Sequence, residues 1–286
     1  MSLFRSVLIG AMIAGGAGGC TAVITQASFF PRETLAAPDQ VLKAPPGYVA
    51  TSRMIDLDGI GQVRVVRLDN PGSDAAIIYS AGNGGFVDSD ASSRMAASLA
   101  AVTGADIILY DYPGRGGTTV PATIAAAVAF GPAMVERLRR DGWLGAGPVY
   151  AYGLSFGGSM AAAMVRGGGF AGLIIEGSAA DYQAIGRDFV PGIAKPFVKV
   201  RTDEALRGFD YFGYALAGRA PILLLSGTGD KVIRPRRMRE FADQLTAKGA
   251  QVTLRPVPVG HGGALDSQEG RDALAAFMGQ RTASAD

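Results

Sequence analysis

The chain has 286 residues, of which 48% are hydrophobic, and a formal net charge of +2 at pH 7. This length and composition fit one large or two small globular domains with a sizeable core. The basic residues are spread along the sequence, which argues against nucleic-acid binding. A single cysteine excludes an intrachain disulfide, and Cys/His zinc spacing is absent. Chemistry that needs an imidazole near neutral pH must therefore use His261, the one histidine.

The first residues have the pattern of an export signal. Arg5 precedes an apolar stretch at residues 6–14 and a glycine-rich stretch that ends at Cys20. Ala17-Gly18-Gly19-Cys20 resembles the lipobox of bacterial lipoproteins, although Ala17 stands where lipoboxes usually have Leu. We expect residues 1–20 to be a signal segment, Cys20 to be lipidated, and the protein to be exported and membrane-anchored on the periplasmic side. An uncleaved anchor over about residues 6–30 and an ordinary cleaved signal are the alternatives.

Residues 21–47 are rich in Pro and Ala and are expected to be a linker. From residue 48 onward, short apolar runs alternate with helix-like stretches, which predicts one domain over residues 48–286. The first two runs, at residues 48–56 and 62–69, predict a hairpin. The later strands are continuous aliphatic runs, typical of strands buried on both faces. They are predicted at residues 75–80, 106–110, 148–152, 172–176 and 221–226, and a further apolar strand is predicted at residues 252–257.

Helices are predicted at residues 92–102, 123–140, 156–166, 237–248 and 264–278. The alternation predicts an α/β fold with a mostly parallel central sheet and helices on both faces. Residues 178–219 interrupt it with seven aromatic residues, and we expect a short cap over the site, the alternative being an ordinary crossover helix with aromatic core contacts. Five basic residues within 231–239 predict a solvated helix face, with contact to anionic lipid or substrate as the alternative.

The strongest chemical motif is Gly153-Leu-Ser155-Phe-Gly157, which is G-x-S-x-G directly after a predicted strand and directly before a predicted helix. That context is the one a nucleophile elbow requires. Side chains at positions 153 and 157 would collide with neighbouring backbone in such a turn. The helix N-terminus also stabilises developing negative charge. We therefore expect Ser155 to be a nucleophile.

A serine hydroxyl needs a base, and His261 follows a predicted strand between flanking glycines. Asp230 follows the strand at residues 221–226 and is the expected acid that orients the imidazole. Glu176, at the end of another strand, is a rival acid or alternatively a capping carboxylate. For the oxyanion we expect the main-chain N–H groups of Phe156 and Asn83, the latter in a glycine-rich loop that is otherwise a tight turn.

The order Ser155, Asp230, His261 resembles that of the α/β-hydrolase superfamily. Within it, the chain resembles a membrane-associated group that includes protein depalmitoylases and lysophospholipid lipases. The segments at residues 79–85, 111–118, 153–158 and 227–232 carry the resemblance, which extends over about residues 77–278. Two residues depart from the group: Ala81 stands where its oxyanion loop has His, and Arg115 replaces an aromatic residue, which could alter the pocket rim.

The resemblance and the motifs together predict a serine hydrolase that cleaves a carboxylic ester or thioester through an acyl-enzyme. The expected partner is a small-molecule or lipid-like ester, and no metal or organic cofactor is implied. A peptidase of the same fold and a non-catalytic binding protein on a hydrolase scaffold are the alternatives. An aspartate-nucleophile hydrolase would need Asp at position 155.

Overall fold

The computed structural model describes residues 20–279. The predicted signal segment lies outside the described residues except for Cys20. The strands are β1 (Cys20–Ile24), β2 (Val49–Leu57), β3 (Gly61–Asp69), β4 (Ala76–Ser80), β5 (Asp106–Tyr110), β6 (Val149–Leu154), β7 (Gly172–Glu176), β8 (Val198–Thr202), β9 (Ile222–Gly227) and β10 (Val252–Val257). The helices are α1 (Asp90–Thr103), α2 (Ile124–Arg140), α3 (Phe156–Val165), α4 (Tyr182–Phe189), α5 (Glu204–Arg207), α6 (Tyr211–Ala217), α7 (Pro235–Ala247) and α8 (Gln268–Phe277).

The central sheet has the order β10-β9-β7-β6-β4-β5-β3-β2 in the described part of the chain. The pairs β2–β3 and β3–β5 are antiparallel, and the other pairs are parallel. Successive residues of the inner strands enter two different cores. Ile78 and Ile108 lie in one, and Ile77, Tyr79 and Ile107 lie in the other. This two-sided burial explains the continuous aliphatic runs and confirms the predicted strands and hairpin.

The chain reverses its direction of growth across the sheet between β4 and β6. These two strands are adjacent and parallel, yet the chain continues from β4 to β5 on one side and from β6 to β7 on the other. Ligands of open α/β sheets bind outside the carboxyl ends of the strands at such a point. Here those ends are followed by the loop at residues 81–85 and by Ser155.

Part of the segment expected to be a linker, residues 21–47, is folded onto the domain. Strand β1 pairs in parallel with β8, and a 3-10 turn follows at Gln26–Ser28. Ile24 and Phe30 are buried there. The apolar area that they remove from water favours this packed arrangement over a solvated linker.

The cap region, residues 178–219, contains α4, β8, α5 and α6. Of its seven aromatic residues, Phe209 and Tyr211 are buried, Phe189 and Phe197 are exposed, and the other three are partly buried. Among residues 20–279, no helix combines the length and apolar character needed to cross a membrane.

Two further sequence-based predictions need correction. The helix predicted at residues 264–278 is a 3-10 turn, Ala264–Asp266, followed by α8, because the Ser267 side chain accepts a hydrogen bond from Gly270 N–H and begins a new helix. The basic run at residues 231–239 is not simply a solvated face. Arg236 and Arg237 pair with Asp188, which is buried at the end of α4.

Candidate active site

Ser155 occupies a sharp turn between β6 and α3, with φ of 53° and ψ of −121°. A positive φ is costly for a residue with a side chain and persists only where the surroundings impose it. Its N–H donates to the Glu176 carbonyl over 2.8 Å. A Cβ on Gly153 would overlap the Gly157 carbonyl, and a Cβ on Gly157 would overlap the Ser80 carbonyl. The glycines therefore permit the turn for the steric reason expected from the motif.

His261 and Asp230 form a hydrogen bond between loops at the ends of neighbouring strands. Asp230 Oδ2 lies 2.8 Å from His261 Nδ1, and Asp230 is 4% exposed. Its other oxygen, Oδ1, accepts the main-chain N–H groups of Val232 and Ile233 at 2.7 and 2.9 Å. The carboxylate is thus fixed at one oxygen and available to the imidazole at the other. Because an ionised carboxylate only accepts, Nδ1 carries the proton of the neutral ring.

Strand β7 connects the serine turn to the His–Asp pair. The Glu176 carbonyl holds the N–H of Ser155, and the next residue, Gly177, faces the pair. A Cβ on Gly177 would lie 3.1 Å from Asp230 Oδ2 and 3.2 Å from His261 Nδ1, and its φ is +52°. The carboxyl ends of β6, β9 and β10, with β7 between β6 and β9, therefore bring the three predicted triad residues to one region of the sheet edge.

The rival acid, Glu176, is engaged elsewhere. Its carboxylate accepts the Tyr152 hydroxyl at 2.6 Å and the main-chain N–H of Ala264 at 2.7 Å. The residue is 2% exposed, and burial raises the pKa of its carboxyl, although these hydrogen bonds act in the opposite direction. Glu176 thus holds the 3-10 turn that follows His261, while Asp230 contacts Nδ1 of the ring.

The predicted oxyanion loop lies beside the serine. A Cβ on Gly82 would be 3.8 Å from Ser155 Cβ. The next residue, Asn83, donates from Nδ2 to the Ser28 carbonyl over 2.7 Å and accepts at Oδ1 from Arg115 over 3.0 Å. The side chain of Asn83 therefore fixes the loop. Phe156 is the first residue of α3, where a main-chain N–H has no partner within its helix.

Ser155 and Phe156 line a cavity of about 520 Å³ whose walls are mostly apolar. A third of the lining comes from the segment before β2, namely Ile24, Ala27, Ser28, Phe29, Pro31 and Leu35. The Phe29 ring stacks on Phe156 with 4.8 Å between centroids, and Phe30 meets the same ring edge-on at 5.4 Å. Sequence reasoning missed this wall, although two adjacent phenylalanines in a Pro- and Ala-rich segment were a signal for it.

Arg115, the departure from the resembled group, is a buried cation at this cavity. It is 4% exposed, and burial lowers the pKa of its guanidinium. Nη2 donates to Asn83 Oδ1 and to the Phe29 carbonyl at 3.0 and 3.3 Å. Arg115 therefore joins the oxyanion loop to the N-terminal wall. Within residues 20–279, no group of three or more His, Cys, Asp or Glu side chains is placed to hold a metal ion.

No protein-family model and no curated protein matches the amino-acid sequence. Solved structures do match. An esterase from Pyrococcus furiosus superposes with a TM-score of 0.66 at 16% identity, covering 85% of this chain and 98% of that one. A Pyrobaculum calidifontis esterase gives a TM-score of 0.56 at 18% identity, with 82% and 85% covered. For a thermostable esterase from Pseudomonas putida the values are 0.54, 20%, 82% and 81%.

The chain has the α/β-hydrolase fold. This result confirms the predicted fold class. Within the α/β-hydrolase fold the nucleophile, acid and histidine follow each other in that order along the chain. Ser155 comes directly after β6, Asp230 after β9 and His261 after β10, so their positions in this fold agree with that order.

Proposed function

We propose that the protein is a serine hydrolase that cleaves a carboxylic ester or thioester through an acyl-enzyme intermediate. The observation that carries the proposal is the strained Ser155 on the wall of an apolar cavity, with a hydrogen-bonded His261–Asp230 pair on the adjoining loops. No comparably placed imidazole is offered elsewhere, because His261 is the only histidine of the sequence.

In the proposed first step, Ser155 Oγ attacks the carbonyl carbon while His261 Nε2 takes the hydroxyl proton. Asp230 holds Nδ1–H and stabilises the imidazolium that forms. The main-chain N–H groups of Phe156 and Asn83 stabilise the oxyanion. The imidazolium then protonates the leaving alcohol or thiol. In the second step His261 deprotonates a water molecule, which attacks the carbonyl carbon of the acyl-enzyme. The bond to Ser155 Oγ then breaks, the imidazolium returns its proton to Oγ, and the acid is released.

The walls of the cavity favour a substrate with an apolar acyl group. Aromatic and aliphatic side chains surround Ser155, and Arg115 is held by Asn83 and Phe29. Burial of an apolar chain there would stabilise the complex by about 25 cal/mol for each Å² of apolar surface removed from water. The resemblance to depalmitoylases and lysophospholipid lipases supports the same class, a lipid-like ester or thioester.

The decisive experiment is labelling with a fluorophosphonate probe, with the modified residue mapped by mass spectrometry. We expect the adduct on Ser155 and its loss in Ser155→Ala and His261→Ala. Ser178→Ala is the matched control, because Ser178 also lines the cavity but lies after β7. A folded protein that does not label would overturn the proposal and favour a binding role for the scaffold.

A second assay separates an esterase from a peptidase. Matched ester, thioester and amide substrates with the same acyl group are compared at increasing chain length. We expect ester and thioester cleavage to exceed amide cleavage and to improve with chain length. Preferential amide cleavage would instead identify a peptidase of the same fold.

We further propose that the protein is exported and anchored by lipid at Cys20. Cys20 is exposed and is the first residue of β1, so an attached lipid would not need to enter the folded core. The expected result is that the mature protein from the membrane fraction begins at a diacylated Cys20. Cys20→Ser should abolish the lipid modification and release the protein from the membrane fraction. An unmodified Cys20 in the membrane-bound protein would contradict the proposal.

A further inference from the structure

The cap carries a surface that combines exposed apolar side chains with basic ones. Ile193 is 89% exposed, Phe197 68% and Phe189 43%. Phe189 is the last residue of α4, and the other two lie between it and the start of β8. Large apolar side chains grouped at this level of exposure mark an interaction site more often than a free surface. We name these three residues the apolar ridge.

Four cations of the cap lie near the ridge along the chain, one of them two residues before Phe189 and the others from two residues after Phe197 onward. Arg187, Lys199, Arg201 and Arg207 surround one shallow cleft of the cap. In the part of the chain that the structure describes, none of the four is in an ion pair. This contrasts with Arg236 and Arg237, which both form ion pairs with Asp188. A cluster of unmatched cations beside apolar side chains fits a surface of anionic headgroups above acyl chains.

The N-terminus enters the fold at this surface. The N–H of Cys20 donates to the Phe197 carbonyl over 3.0 Å, and β1 runs parallel to β8 from that point. Residues 1–19, whose sequence predicts a signal with an apolar stretch, therefore precede a residue that is hydrogen-bonded to the ridge. A tether at or before Cys20 would hold the ridge against whatever surface the tether occupies.

Helix α4 also connects the ridge to the cavity. Tyr182 and Ile185 line the cavity, and Phe189, one turn after Ile185, is exposed on the ridge. These three positions follow the spacing of one helix stripe. We propose that the apolar ridge and its basic cluster dock the cap onto an anionic lipid bilayer, so that the cavity receives its substrate from the membrane side. The delivery of substrate rests on the proposed hydrolase function, whereas the docking does not.

The test uses the full-length chain bound to vesicles of phosphatidylcholine and phosphatidylglycerol with brominated acyl chains, which quench a nearby indole. Phe197→Trp places the reporter on the ridge, and Val49→Trp, at an exposed site on edge strand β2, is the matched control. The native Trp143 is buried and gives the background. We expect quenching and a blue shift for the ridge reporter and neither for the control.

Combining Phe197→Trp with Lys199→Gln, Arg201→Gln and Arg207→Gln should weaken docking by about a hundredfold in its equilibrium constant. High salt should act in the same direction. An unquenched ridge reporter in vesicle-bound protein would overturn the proposal, whether residues 1–19 or a second copy of the chain then covers the ridge. Fluorophosphonate labelling of the same samples separates the two failures. If Ser155 is labelled but the ridge reporter is not quenched, only the docking proposal is refuted. If the reporter is quenched but Ser155 is not labelled, only the proposed hydrolase function is refuted.

Discussion

The side-chain amide of Asn83 donates to the carbonyl of Ser28 over 2.7 Å and so ties the predicted oxyanion loop to a segment far away in the sequence. Phe29, the next residue, stacks on Phe156 directly after the nucleophile. The segment that precedes the domain proper is therefore part of the proposed active site. It contributes to the position of both groups that are expected to stabilise the oxyanion.

Two truncations should separate the role of residues 1–19, the proposed tether, from that of the cavity-wall residues that follow them. We expect protein that lacks residues 1–19 to keep ester hydrolysis, because every residue of the proposed active site and of the cavity wall is still present. Protein that lacks residues 1–30 loses Phe29 and Phe30 and the Ser28 acceptor, and its kcat/KM should fall by about a hundredfold, as for a misplaced reacting group. The measurement is hydrolysis of a long-chain ester, with circular dichroism to verify folding. Equal activity of the two truncations would show that the wall is dispensable.

The contact between Arg115 and Asn83 should appear as an energetic coupling. In a double-mutant cycle of Arg115→Met and Asn83→Ala, we expect about 1–2 kcal/mol of interaction in the free energy of unfolding, since the hydrogen bond joins a buried cation to an amide oxygen. Urea denaturation supplies the four values. Arg94→Met, at an exposed position on α1, is the matched control and should be additive with Asn83→Ala.

Asp230→Asn should remove activity while it preserves much of the fold. The new amide oxygen can still accept from Val232 and Ile233, so the NH₂ group faces His261 Nδ1 and favours the wrong imidazole tautomer. We expect kcat to fall on the order of 10⁴-fold, as for loss of the orienting acid in other triads. The assay is ester hydrolysis together with thermal unfolding. Retention of more than a tenth of wild-type kcat would argue against Asp230 as the orienting acid.

The burial of Glu176 predicts a pH dependence of stability. Burial raises the pKa of this carboxyl in the folded protein, so its contribution is complete below the unfolded pKa of about 4.3 and is lost as the pH rises through the folded value. The side chain of Glu176→Gln does not titrate, and its amide can still form hydrogen bonds with Ala264 N–H and the Tyr152 hydroxyl. We therefore expect its Tm relative to wild type to improve as the pH rises.

The control for this series is Glu136→Gln, because Glu136 is an exposed carboxylate on α2. A Tm difference for Glu176→Gln that does not change with pH would contradict the prediction. Glu176→Ala should cost about 1–3 kcal/mol at low pH, where the contribution of Glu176 is complete, because it leaves Tyr152 and Ala264 without their acceptor.

The elbow glycine offers a steric test. Gly157→Ala would place a methyl group against the Ser80 carbonyl, and we expect a loss of at least about 1–3 kcal/mol together with reduced labelling of Ser155. Gly145→Ala is the matched control, since nothing lies within 4 Å of a Cβ there. Thermal unfolding of both variants is the measurement. Similar stabilities would show that β4 can move away from the elbow at little cost.

The sequence predicts what is encoded locally. Each inner strand is a continuous aliphatic run because both of its faces are buried, and Ser155 and Asp230 each follow such a run. His261 follows the edge strand β10, which is less buried and is predicted from its apolar residues. The wall at residues 24–35 could not be predicted in this way. Its composition resembles that of a linker, and its contacts, such as Ser28 with Asn83, join residues that lie far apart in the sequence.

Short-range competition accounts for the other differences. At Ser267, a side-chain cap within the predicted helix at residues 264–278 begins a new helix, although the apolar spacing continues across it. The basic run at residues 231–239 looks solvated until the partner is known. Asp188, which lies in the cap, binds two of its arginines and draws them towards α4.

The parallel pairing of β1 with β8 limits how far the folded domain can move from a lipid anchor at Cys20. If lipid is attached at Cys20, the first anchored residue is already hydrogen-bonded to the cap, and no free chain separates anchor from enzyme. Such a protein has no flexible linker between its anchor and its folded domain. It would reach only substrates in the leaflet that holds it, at a fixed height and in one orientation. Soluble esters would have to diffuse to it.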